Sequence, residues 1–170
     1  MTPVVKDFES IVASMRTNTK LPDVPYYEYG HRLEIANLLT ERDKTEFKFK
    51  KYPLIALRQP FDEVIADGMV KVKLNFVIVT MTDVKYTTRQ RYDKVIIPVL
   101  YPLFESFIQA IKNSGLYFWN SDAMDYPPMD KIDWPFWGVQ YQEGVEKNIF
   151  NDPLDAIELV NVELHKNINC

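Results

Sequence analysis

The sequence predicts an α+β fold: a mainly antiparallel sheet packed against one long helix, with an N-terminal helix and a long irregular arm. Three observations carry that expectation. From Met69 to Thr82, Val70, Val72, Leu74 and Phe76 alternate with Lys71, Lys73 and Asn75, the period-two mark of a strand with one wet face. The second half of the same run, Val77-Ile78-Val79-Thr80-Met81, is apolar on both faces. It needs a cover that the first half lacks, either from this fold or from a neighbouring subunit. Beyond it, Tyr92, Ile96, Leu100, Leu103, Phe107 and Ile111 step by three or four, the stripe of a long amphipathic helix.

The remaining elements follow in order. Thr2-Pro3 reads as a cap and first helical residue, and Phe8, Ile11, Val12 and Met15 give a helix ending near Arg16. Thr17 to Pro25 is loop composition, after which Tyr26–Tyr29 and Leu33–Thr40 read as short extended segments. Phe47 and Phe49 alternate with Lys48 and Lys50 and start a strand running into Leu54–Leu57. Pro60 to Gly68, with Asp62, Glu63 and Asp67, reads as a turn. Thr87 and Gln90 have capping-box spacing at the start of the main helix. Pro98 and Pro102 fall inside its pattern and predict a kink or a late regular start, and Gly115 is the expected left-handed stop. Leu116–Trp119 is a short strand, and Ala156–Leu164 a last strand apolar on nearly both faces. Between them the arm, about 120–151, shows little periodicity and holds Pro127, Pro128, Pro135 and Trp134, Phe136 and Trp137.

A length of 170 residues with 46% hydrophobic content suits a single domain spanning 1–170. The net charge of −4 argues against a protein whose main task is gripping nucleic acid. The only cysteine is Cys170, so there is no disulfide framework. The N-terminus lacks a signal-peptide pattern and no apolar run reaches membrane-spanning length, so the expected place is the cytosol or something assembled there.

No motif names a chemistry. His31 and His165 lack the clustering of a zinc site, and Asp122, Asp125, Asp130 and Asp133 lack the spacing of a calcium loop. Nucleophile elbows, phosphate loops and dinucleotide fingerprints do not occur, and glycine is scarce at five residues. The expectation is a non-enzyme with no catalytic residues, metal or cofactor. Lys44, Lys48, Lys50 and Lys51 with Lys71 and Lys73 could line a strip on adjacent strands. A solvated sheet face is the favoured reading, and contact of Lys48, Lys50, Lys71 and Lys73 with DNA or a partner's acidic surface is the sharper one. Trp119, Trp134, Phe136 and Trp137 are either interface anchors or plugs for the domain's own core. The doubly apolar strand, through Val77 and Val79, favours a subunit interface.

The order of elements resembles the tail terminator and head–tail joining (neck) proteins of tailed bacteriophages. The matching pieces are the helix at 3–15, YPLIALRQPF at 52–61, VKVKLNFVIV at 70–79, RYDKVIIPVLYPLFESFIQAI at 91–111 and AIELVNVEL at 156–164. The stretch at 17–45 and the arm at 120–151 depart from that pattern and suit the neck of a short-tailed virus, as in the ring proteins of crAss-like phages. The resemblance implies a virion protein assembled in the host cytoplasm. Its copies would form a six- or twelve-membered ring between portal-side adaptor and tail proteins, with DNA passing through unheld and no membrane involved. A non-viral α+β interaction module is the alternative.

Overall fold

The computed structural model describes residues 3–17, 21, 23–43, 51–66, 68–119 and 125–166. The helices are α1 (Val4–Ser14), α2 (Arg32–Asp43) and α3 (Thr88–Ser114). The strands are β1 (Tyr26–Gly30), β2 (Leu54–Ala66), β3 (Met69–Met81), β4 (Tyr117–Phe118) and β5 (Asp130–Trp134), then β6 (Val139–Gln142), β7 (Val145–Asn148) and β8 (Leu154–Lys166). A curled mixed sheet runs β1-β2-β3-β8-β4, with β5 also paired to β8, and β6 and β7 form a separate hairpin. The expected α+β class is therefore observed. All pairings in the main sheet are antiparallel except β1 with β2, which is parallel.

One face of the sheet carries α1 and α3. Even-numbered residues of β3, from Val70 to Ile78, join Ile55, Leu57, Ile157, Leu159, Val162 and Leu164 beneath Phe8, Ile11, Ile96, Leu100 and Phe107. Phe8, Phe76 and Phe107 meet with ring centroids 4.8 to 6.2 Å apart. Such tilted pairs add to the burial of their area. β8 keeps its apolar residues on this face through a register shift opposite Leu74/Phe76. Asn161, at φ 57, lies in that shift.

The ends of α3 follow the sequence reading. Thr87 accepts from the Gln90 amide while the Gln90 side chain accepts from Thr87 N–H, and Gly115 closes the helix at φ 66. Between those ends the prolines are accommodated by a π-helical stretch, Tyr92–Leu100, after which regular α-helix resumes at Tyr101. The Tyr101 N–H bonds to the Ile96 carbonyl, five residues back. The wider turn suits a segment in which proline has removed a donor. By length and composition α3 could cross a membrane, which corrects the expectation that no apolar run reaches that length; half of the qualifying window is buried in this fold.

Three other expectations change, and a fourth is not tested. Leu33–Thr40 is part of helix α2, which the Glu34 carboxylate starts by accepting from His31 N–H at 2.8 Å. Pro60 to Ala66 is strand, so the turn shrinks to the residues around Gly68. Pro60 follows a register shift after Arg58 and lies where β2 has β3 as its one described neighbour, so its missing N–H breaks no ladder. The arm also contains strands: β5 joins the main sheet, and β6–β7 makes a hairpin. The proposed strand start at Phe47–Lys50 lies outside the described residues.

Candidate functional site

The second face of the sheet divides at its middle. At the end where β2 begins, Leu54, Ala56, Val77, Val79, Leu154 and Ala156 form a second core with Ile35, Ala36 and Leu39 of α2 and with Trp137 and Phe150 of the arm. Trp137 and Phe150 stack at 4.6 Å, and Trp137 is only 2% exposed. The cover anticipated for Val77 and Val79 thus comes from within the chain. This corrects the reading of Val77, Val79 and Trp137 as an exposed docking surface, and Trp119 is likewise buried, in the first core. Trp134 and Phe136 do reach solvent, at 43% and 38% exposure.

Two carboxylates hold the arm in place. Glu158 accepts from Trp137 Nε1 at 2.8 Å, Trp134 Nε1 at 3.2 Å and Arg58 at 2.8 Å. Arg32 lies over the Trp137 ring at 5.4 Å, and burial lowers its pKa, opposed in part by the Glu158 charge. Asp155, fully buried, accepts from Arg91 at 2.9 Å and from the Phe136 N–H at 3.0 Å. The rest of the Arg91 guanidinium is spent on the Asp83 and Tyr86 carbonyls, with the Phe136 ring 3.2 Å above it. Phe136 takes a left-handed φ of 60 to make this contact, a conformation that costs a bulky residue of order 1 kcal/mol or more. These groups anchor the arm rather than present a reactive atom.

A third node fixes the other end of the molecule. Asp7 of α1 accepts from Tyr117 at 2.7 Å and pairs with Lys166. Burial, then the Asp7 bond, pushes the Tyr117 phenol far up from its ordinary value. At the arm, Asp133 accepts from Lys131 at 2.6 Å and from Tyr101 at 3.0 Å. Burial opposes the Lys131 charge, but its bonds to Asp133 and Tyr101 outweigh that and hold its pKa above the usual range. The sequence reading missed all four of these ion pairs. A usable signal existed: Asp7 and Arg91 are charged residues standing in the apolar stripes of α1 and α3, and such positions stay charged only when paired.

The far half of the second face carries no cover among the described residues. Lys71 and Lys73 project from β3 and share Glu163 of β8, at 2.9 and 3.6 Å. The Lys71 bond lowers the Glu163 pKa; burial opposes it, and the charges of Lys71 and Lys73 add to the lowering. Lys48 and Lys50 lie outside the described residues. β1 ends opposite Arg58, yet β2 runs on to Ala66 with β3 as its one described neighbour. Around the tip of that hairpin Val64, Ile65 and Met69 are 58%, 69% and 50% exposed. Among the described residues this is an open strand edge, and its tip is apolar.

Concave surfaces offer less. A groove of about 550 Å³ between α1 and α3 is lined by Ser10, Ser14, Ser106, Gln109, Asn113 and apolar neighbours, with no titratable side chain. Among the described residues no three His, Cys, Asp or Glu side chains gather as a metal site would need. His165 stacks on Phe118, and His31 Nδ1 accepts from the Leu33 amide. No family model matches this chain, and no curated protein matches it either.

Proposed function

We propose that the chain is a structural virion protein of a tailed phage, a subunit of a ring at the head–tail junction (neck or tail terminator) around the DNA channel. The observation that carries this reading is the β2–β3 hairpin, which runs past β1 with an edge unpaired among the described residues and an exposed apolar tip. Across the sheet, β5 offers a different exposed pair, Ile132 and Trp134. Unlike patches on one molecule make head-to-tail contacts, which close into a ring when the rotation fits. Lys71 and Lys73, half neutralised by Glu163, suit a wall that DNA passes without being held. In this reading the partners are sister copies, six or twelve of them, with portal-side adaptor and tail proteins above and below. The role is mechanical and needs no cofactor.

Native mass spectrometry with negative-stain microscopy tests the proposal. A closed ring of one stoichiometry is the expected result, and a monomer at every concentration overturns it. The self-contained second core, with Val77, Val79 and Trp137 already covered, favours the alternative of a non-viral interaction module. A monomer that binds one partner through its hairpin or arm would establish that alternative.

A further inference from the structure

We infer that Arg32, on the second face of the sheet, binds the Asp62–Glu63 carboxylates at the β2–β3 hairpin of a second copy. The inference rests on the ring reading and deepens it by naming the groups that meet.

The Arg32 guanidinium lacks an acceptor. Such a group carries five N–H donors. That of Arg32 makes no salt bridge or hydrogen bond among the described residues, and its Nε is buried without a partner. A buried donor left unmade is costly, so the site favours a ligand that accepts from it. Glu158 does not fill the gap: its Oε1 accepts from Arg58 and Trp137, and its Oε2 from Trp134. Burial lowers the Arg32 pKa, Glu158 counters that, and the Arg58 charge adds to the lowering. Two cations thus share one carboxylate, and the surplus charge is positive.

The site stands at a step in the surface. β1 ends at Gly30, opposite Arg58, and Arg32 opens α2 directly afterwards. There the covered half of the second face meets the half that has no cover among the described residues. Beside it Ile132 and Trp134 of β5, level with Glu158 and Ala156, are exposed. A cationic notch flanked by apolar side chains fits a ligand that is acidic and apolar at once. A free anion meets only the first requirement.

The β2–β3 hairpin has that composition. From residue 59 to residue 70 the sequence holds Asp62, Glu63 and Asp67 and no basic residue. Asp62 and Glu63 are exposed, as are Val64, Ile65 and Met69 beside them. Neither carboxylate forms a salt bridge among the described residues. Lys73, opposite Asp62 in register, pairs instead with Glu163, and Arg58 with Glu158. Hairpin and notch are different surfaces, so the contact is head-to-tail and can repeat around a ring. Two acidic hairpins repel each other, as do two cationic notches, which leaves hairpin-to-notch as the selected pairing.

Charge reversal tests this. Arg32→Glu makes the notch acidic, and Asp62→Lys/Glu63→Lys makes the hairpin basic. Each protein is expected to raise the concentration for half-assembly by about tenfold or more, through like-charge contact. All three substitutions in one chain restore opposite charges, and assembly should return to within about threefold of wild type. Assembly of either variant alone at the wild-type concentration overturns this contact while leaving the ring intact. Failure of the combined protein to recover, with its monomer melting like wild type, overturns the hairpin as the occupant of the notch. A wild-type protein that never assembles removes both the ring and this contact. If Arg32→Glu does not fold, hydroxyl-radical footprinting of the wild-type protein decides. Met69 and Trp134 should both lose reactivity on assembly, and unchanged reactivity at either overturns the proposal.

Discussion

Along β3 the odd-numbered residues belong to two different surfaces. Val77 and Val79 lie under α2 and the arm, while Lys71 and Lys73 face water beside Glu163. The strand, the sheet and the opposite face are shared, so the contrast comes from the cover alone. Each fully buried apolar side chain in the covered half contributes roughly 1.5–3 kcal/mol. An exposed ion pair of the bare half contributes about 0–1 kcal/mol. A strand apolar on both faces therefore reports that a cover exists, without telling whose it is. Here α2, with Trp137 and Phe150 of the arm, supplies it.

Substitutions in the two halves should differ accordingly. The largest effect is expected at Asp155→Ala, which leaves Arg91 buried without its counter-charge and should cost about 3–5 kcal/mol in urea unfolding. If Arg91→Met/Asp155→Leu recovers most of that loss, the penalty is the orphaned charge and not the missing contact. Trp137→Ala should cost about 3–4 kcal/mol by the same measurement, the loss of a buried aromatic from the second core. A near-wild-type melt would instead place Trp137 at a surface. Gly138→Ala should cost about 1–3 kcal/mol, since Gly138 has a φ of 93 and an added Cβ would lie 2.3 Å from the Phe150 ring. The smallest effect belongs to the bare half: Glu163→Gln should change stability by less than about 0.5 kcal/mol. Its pKa is lowered in the folded state, so its contribution is present above the ordinary carboxylate range and is lost as pH falls through the lowered value. Urea titrations of wild type and Glu163→Gln should converge at low pH, and curves that stay parallel there would remove the Lys71–Glu163 pair from the account.

What the sequence made legible was whatever repeats locally. The period of two in 70–76, the stripe from Tyr92 to Ile111, the Thr87–Gln90 box and the Gly115 stop each need only a few neighbouring residues, and each stands in the structure. α2 was hidden because its buried residues, Ile35, Ala36 and Leu39, mark less than two turns and Leu33 stays exposed. Pro60 disguised a strand as a turn, because a proline where no described strand pairs leaves the described ladder intact. At the candidate site the limits were long-range. Whether Trp137 points inward depends on Glu158 and Leu154, and the indole bond and the Trp137 N–H bond to Leu154 both cross from arm to sheet. No spacing rule carries that information. Residues 134 and 136 were picked out by composition alone, and the structure leaves both at the surface.

The place of β8 in the sheet has one more consequence. It is last in sequence among the described strands, yet it sits between β3 and the β4 and β5 segments. During synthesis the thirteen residues of β3 must wait for it with their backbone on one side unmatched, a state in which nascent chains stick to one another. Completion of the sheet then hinges on β8, and chaperone demand should ease once Leu154–Lys166 has emerged.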